Sequence, residues 1–303
     1  LEAMHNGFQA ALNRLDLLKA REDFEKAKGH IYKLEGVLGP GSKYISDCLS
    51  RITALEKKVD QMAPVPGNDI LFHNDQRVAV ESIYIDFYEA SNKNFLTFLK
   101  QMEPYRRNWK KIEQKYPGMW KDRSRFKRTM RRLDDLEDRQ KSELLPVDGV
   151  SYYEAIAYLQ WRGKDLPTWE EWWLAAKGPA DASVPRFPWG DNMAKATEEK
   201  ELNQFNVPVA VNEGGECHRD KKLHHMAGNM AEWLKVDDVR SSKVGRLVGG
   251  SYSLVARVRE AQMKLYAGEK CLKAELWKQD EGFGFRGVVR PKAFFKDLLP
   301  VKD

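Results

Sequence analysis

The chain has 303 residues, 42% hydrophobic with nine Trp, which is ample for a buried core and excludes the disordered class. Its net charge of +6 is local: from Glu103 to Leu133, twelve basic residues stand against three acidic ones, and the remainder is slightly acidic. Three cysteines (Cys48, Cys217, Cys271) make no disulfide framework, no apolar run reaches the ~18 residues of a membrane span, and no basic-then-apolar signal segment opens the chain. The chain begins on Leu rather than Met, which leaves room upstream for a signal or anchor.

Residues 1–66 read as an antiparallel helical hairpin. Leu1, Met4, Phe8, Ala11, Leu15 and Leu18 recur at three and four, and after a one-residue shift Leu17, Ala20, Phe24, Ala27, Ile31, Leu34 and Leu38 continue the stripe. Leu38-Gly-Pro-Gly-Ser42 stops the helix, because Pro has no amide donor and Gly favours a left-handed cap. Ile45, Cys48, Ile52, Leu55, Val59 and Met62 form the seam of a second helix. That seam is too narrow for a free-standing core, so the hairpin is expected to dock on the following domain, act as a spacer, or pair with a second copy.

Ala63-Pro-Val-Pro-Gly-Asn-Asp69 has the composition of a linker. Arg77–Tyr88 alternates as one or two strands. A helix is predicted over 91–102, with Ser91 or Asn92 as its cap. The charged stretch 104–143 reads as a mostly helical insertion broken at Pro117-Gly118. Ser151 with Glu154, and Thr168 with Glu171, carry the spacing of capping boxes, which predicts helices over 151–162 and 168–176. Beyond Gly178 the chain is expected to be irregular, and loops of that length usually need a tight internal network or an ion to order them.

The run Pro146–Trp173 (PVDGVSYYEAIAYLQWRGKDLPTWEEWW) closely resembles a segment of the formylglycine-generating enzyme, or sulfatase-modifying factor, family. So, in the same order along the chain, do Tyr84-Ile-Asp-Phe-Tyr-Glu-Ala-Ser-Asn92, Phe187-Pro-Trp-Gly-Asp191, Met226-Ala-Gly-Asn-Met-Ala-Glu-Trp233, Arg246-Leu-Val-Gly-Gly-Ser-Tyr252 and Gly282-Phe-Gly-Phe-Arg-Gly287. The resemblance spans roughly 70–292 and implies an α+β, C-type-lectin-like fold with much irregular loop. The expected plan is a hairpin over 1–66, this domain over 67–292 with its basic insertion, and a tail over 293–303.

The resemblance also implies a copper ion held by two thiolates, soft ligands suited to monovalent copper. One would stand at Leu254, and Ser253–Glu260 contains no cysteine at all. The His-held iron of a related branch has no counterpart among His5, His30, His73, His218, His224 and His225. A calcium ion remains the possible cofactor: the resemblance assigns it carbonyls of Gly228 and Met230 and carboxylates of Glu89 and Glu232. His225 stands where the family has Asp or Asn, and His is a poor calcium ligand. The loop of a second calcium site is shortened to Asn203–Pro208. Without ions, Glu232 is expected to accept main-chain amide bonds.

These substitutions point to a non-catalytic binding module for a protein or peptide ligand; the resemblance, rather than any residue, implies that it is carried in a bacterial signalling or surface protein and lies outside the cytoplasm. Ser251, Tyr252, Arg257, Arg259 and a partly exposed Trp173 are its expected ligand contacts. An enzyme of altered, copper-independent chemistry and a structural part of an envelope assembly are the alternatives. The basic stretch 104–133 suits an acidic partner. Nucleic acid is not expected there, because Tyr105, Trp109, Tyr116 and Trp120 fall at the near-helical spacing of anchors.

Overall fold

A computed structural model describes residues 21–33, 35–71, 76–115, 120, 123–138, 143–180, 185–187, 190–191, 207–214, 222–239, 241–253, 264–265, 267 and 269–291. The first half of the expected hairpin helix, the tail 293–303, Leu254, Arg257, Arg259 and Cys217 lie outside these residues. Among the described residues no helix is long and apolar enough to cross a membrane.

Helices α1 (Arg21–Lys33), α2 (Glu35–Leu38) and α3 (Lys43–Lys58) open the structure. The chain turns at Gly39 and Gly41, both at positive φ, and Lys28 Nζ reaches Glu56 Oε2 at 2.8 Å across the pair, the antiparallel arrangement that the short turn requires. Ile45, Cys48, Ile52 and Leu55 of α3 are buried with Phe24 and Ile31 of α1, and the cluster closes on Val59, Met62, Tyr84 and Val289. The described part of the hairpin is therefore docked: its buried residues pack within this chain, and its base is the main sheet.

The reason lies in the stretch read as a linker. Met62–Val65 is strand β1, and β2 (Asn68–Leu71) follows two residues later. β1 pairs antiparallel with β4 (Ile83–Asp86), which pairs in turn with β9 (Val288–Val289), giving the order β1-β4-β9. Pro64 is tolerated because β1 is the edge strand, where a missing amide breaks no ladder. The expected boundary at 66/67 thus falls after a strand of the sheet, and the helical and sheet parts share a core. Strand β3 (Arg77–Val80) forms a two-stranded ribbon with β2, so Arg77–Tyr88 holds two strands.

Helix α4 (Asn92–Met102) starts at Ser91, whose side chain accepts from Asn94 N. The basic insertion contributes α5 (Trp109–Lys115) and α6 (Arg123–Asp138). Trp120 and Phe126 are buried: the Trp120 ring stacks on Phe98 of α4 at 6.0 Å and meets Phe126 at 4.9 Å. The aromatics of the insertion are anchors, and its cations are left facing outward. Both capping boxes form, at the starts of α7 (Tyr152–Arg162) and α8 (Trp169–Lys177). α7 ends at Gly163, whose φ of +66 suits a residue without Cβ; a Cβ there would also lie 2.5 Å from Lys58 Nζ, the last residue of α3.

A second sheet has the order β7-β6-β5-β8, from β5 (Ala231–Trp233), β6 (Val244–Val248), β7 (Leu272–Glu275) and β8 (Phe283–Gly284), with β5 antiparallel to β6 and parallel to β8. These strands are two to five residues long. The loop-rich half therefore depends on side-chain bonds for its order.

Candidate functional site

Glu232, in the middle of β5, and Arg286, between β8 and β9, are fully buried. Arg286 donates from Nε to Glu232 Oε1 at 2.7 Å, from Nη1 to the carbonyls of Asp86 and Phe87 at 3.2 Å, and from Nη2 to the carbonyl of His224 at 2.6 Å. Trp172 Nε1 donates to Glu232 Oε2 at 3.0 Å. One guanidinium thus ties the end of β4, the 224 loop and the second sheet together. A buried charge of this kind is tolerable only because each donor meets an acceptor.

Glu89 is the second buried carboxyl, at 3% exposure. Its Oε1 accepts from Met230 N at 3.0 Å and its Oε2 from Asn229 Nδ2 at 2.6 Å. Burial, and after it the neighbouring charge of Glu232, push Glu89 well above the usual carboxylate range, against the opposing pull of Arg286 and the two donors. Asn229 is wholly buried at φ 52, a left-handed conformation that Asn tolerates. Its Oδ1 accepts from Val209 N at 3.0 Å and its Nδ2 also reaches Val209 O at 3.3 Å, so one amide staples the 207–211 loop to Glu89.

Of the residues assigned to calcium, the fold brings Glu89, Met230 and Glu232 together. The amide-accepting role expected of Glu232 belongs to Glu89, and Glu232 takes the indole and the guanidinium instead. All four carboxylate oxygens face N–H donors, and the cationic place is held by Arg286. His225 is buried at φ 54, with Nε2 3.3 Å from the carbonyl of Ala210 and no partner for Nδ1 among the described residues. Burial, and after it the nearby Arg286, lower its pKa to about 4. Among the described residues no three His, Cys, Asp or Glu side chains form a group that could hold a metal. As arranged, the donors do not fit a calcium cage.

The Gly249-Gly250-Ser251 turn lies against this network. Gly249 and Gly250 have φ of 85 and 74, Gly249 O accepts from Gly228 N at 2.8 Å, and Tyr252 N donates to Asn229 O at 3.0 Å. Tyr252 is half-buried; its hydroxyl donates to Asp148 Oδ2 at 2.5 Å, and Asp148 Oδ1 accepts from Gly282 N at 2.7 Å. Burial, and after it the bond to Asp148, raise the phenol further from ionisation. Ser253 Oγ donates to Glu281 O at 2.8 Å.

Ser251 is 3% exposed, which corrects its expected place at an open face; its Oγ lies 3.1 Å from Ser253 Oγ. Trp173 is also corrected: it is 3% exposed, because Trp172 to Lys177 of α8 are all enclosed, and Lys177 Nζ sits 4.2 Å above its ring. Trp277, in the loop between β7 and β8, is exposed instead. Sequence reasoning missed it, along with Asp148, Asn229 and Arg286. Arg286 carried a usable signal: an arginine within Gly282-Phe-Gly-Phe-Arg-Gly287, among aromatics and glycines, is buried and therefore needs a carboxylate.

Comparison with known proteins agrees with this architecture. Treponema denticola variable protein 1, a solved structure, aligns with a TM-score of 0.51 at 17% identity over 76% of this chain and 95% of that one, a likeness of fold. The formylglycine-generating enzyme of Thermomonospora curvata is 33% identical over 100 residues, 29% of this chain and 32% of that protein. The Bos taurus protein named inactive C-alpha-formylglycine-generating enzyme 2 is 27% identical over 190 residues, 52% of this chain and 61% of its own length. The chain thus spans less than two thirds of either curated relative. The model of the sulfatase-modifying factor enzyme 1-like domain matches residues 51–291, from within α3 to just past β9 and with the Glu232–Arg286 network included, and the chain belongs to that family.

Proposed function

We propose that this chain is a non-catalytic member of its family, a binding module whose ligand is a protein or peptide held on the loop-rich face beside Tyr252 and Trp277. The observation that carries the reading is the closed chain of bonds from Tyr252 to Asp148 to Gly282. An acid or base working beside Tyr252 would need a group free to exchange a proton near neutrality. Here the phenol is held protonated and its acceptor is already shared with a main-chain amide. Leu254, where the family resemblance puts a copper-binding thiolate, supports the same conclusion, since an aliphatic side chain ligates no metal. The exposed Trp277 suits recognition, where aromatics supply contact area at low entropic cost.

We extend the reading to cofactors and context: the loop-rich half is ordered by Arg286 rather than by calcium, and the module belongs to a larger bacterial signalling or surface protein outside the cytoplasm. The test of catalysis is incubation of the purified chain with a cysteine-containing peptide, monovalent copper and oxygen, followed by mass spectrometry. Unchanged peptide mass is expected; conversion of the cysteine to an aldehyde overturns the reading. Thermal unfolding with millimolar calcium tests the second point, because a ligand that binds the native state raises Tm with concentration. No such rise is expected.

A further inference from the structure

The +9 stretch that dominates the charge of the chain does not form an evenly solvated face. A cleft of about 630 Å³ opens between the turn that precedes α5 and the outer face of α6, lined by Glu103, Pro104, Arg106, Arg107, Lys127, Met130 and Arg131. Lys127 and Arg131 are one helical turn apart on the same face of α6, and both are exposed. Arg106 and Arg107 follow the 3-10 turn Glu103–Tyr105 and meet them from the other wall. Pro104 is exposed at the rim, and Met130, buried at 1% exposure, closes the floor. Among the described lining residues, four cations and one carboxylate, Glu103, sum to +3, and Arg106 lies 3.6 Å from that carboxylate.

We infer that this cleft binds a small molecule carrying a diphosphate group. Three of its four cations are arginines, whose planar forks suit paired phosphate oxygens better than single ammonium groups do. The volume exceeds what one phosphate fills, and a diphosphate of charge near −3 matches the lining. Nucleic acid is the weaker occupant. Trp120 and Phe126 are buried, and Tyr105 and Trp109 are half-buried against the core, so among the described residues no exposed aromatic platform stands beside the cations for bases to stack on. The site lies in the insertion, apart from the face used in the proposed function, and does not depend on that reading.

Calorimetric titration of the full chain with pyrophosphate tests the inference. Saturable 1:1 binding is expected, weakened at least about tenfold in the double variant Arg107→Ala/Arg131→Ala. A control, Lys110→Ala/Lys111→Ala, removes the same charge from exposed positions of α5 outside the cleft and should bind as the parent does. Farnesyl diphosphate distinguishes the source of the ligand: tighter binding than pyrophosphate identifies a lipid-linked diphosphate that also uses the exposed Pro104, and equal binding identifies a soluble one. Absence of saturable binding to both, or equal loss in the two double variants, overturns the site.

Discussion

Arg286 Nη2 lies 2.6 Å from Glu232 Oε1, with the guanidinium at 0% and the carboxylate at 1% side-chain exposure. Truncating one partner leaves the other as an unpaired buried charge. Arg286→Met should therefore destabilise the fold by about 3–5 kcal/mol, and Arg286→Met with Glu232→Gln should recover part of that loss. Urea unfolding midpoints of the parent, the single and the double variant measure both effects. A single variant within 1 kcal/mol of the parent, roughly the scale of a surface pair, would show that the network does not hold the loops.

His225 gives the stability a pH dependence of known sign. Its folded pKa, about 4, lies below its ordinary 6.5, so the unfolded chain binds the extra proton in that window. Stability from this residue is complete above pH 6.5 and is lost as pH falls towards 4, by about 3 kcal/mol in all. Glu89 acts oppositely: its raised value makes its contribution complete in acid and lost as pH rises through the folded value. His225→Asn, a residue suited to the left-handed backbone at that position, should remove the loss. Unfolding free energies at pH 4.5 and 7 for both proteins give the answer.

Gly282 is held by space as well as by backbone. Its φ is +81, and a Cβ would lie 2.4 Å from the Oγ atoms of both Ser251 and Ser253. Gly282→Ala should cost about 2–4 kcal/mol, from strain and overpacking together. It should also break the amide bond to Asp148 and free the Tyr252 phenol, seen as a lower phenol pKa in ultraviolet titration. Adding Ser253→Ala should return part of the stability, because one of the two clashing oxygens is gone.

The two ways of cutting off the hairpin are not equivalent. Deletion to residue 58 exposes Tyr84 and Val289 but keeps β1; deletion to residue 66 removes β1 and leaves β4 with an open edge. The longer deletion should be the aggregating one, and the shorter should stay soluble in light scattering. If both remain monomeric and equally stable, β1 is dispensable and the hairpin is a separable unit.

The local signals in the chain were reliable where neighbours in sequence decide the outcome. Ser151 with Glu154 and Thr168 with Glu171 form their capping boxes, Ser91 caps α4, and Gly39-Pro-Gly41 reverses the hairpin. Ala63-Pro-Val-Pro failed as a linker because a proline is harmful to a strand only where its amide is needed, and edge position is a property of the sheet. The ligand face was read less well than the fold. Trp173 and Ser251 sit in segments of ordinary composition, and only packing shows that α8 and the serine are enclosed.

Sequence alone carried the resemblance to the family, the starts of α4, α7 and α8, and the aliphatic residue at position 254, because capping and residue chemistry are written in neighbouring letters; β1, read as linker, and β5 to β8, read as irregular chain, needed the sheet partners that only the fold supplies. Which carboxylate meets which donor was decided by the folded chain. Glu89, Asn229, Glu232 and Arg286 are separated by up to 197 positions, and hydrogen bonds form over about 3 Å. Their pairing follows from how β4, β5 and β8 come together, and it is this pairing that gives the guanidinium the central place.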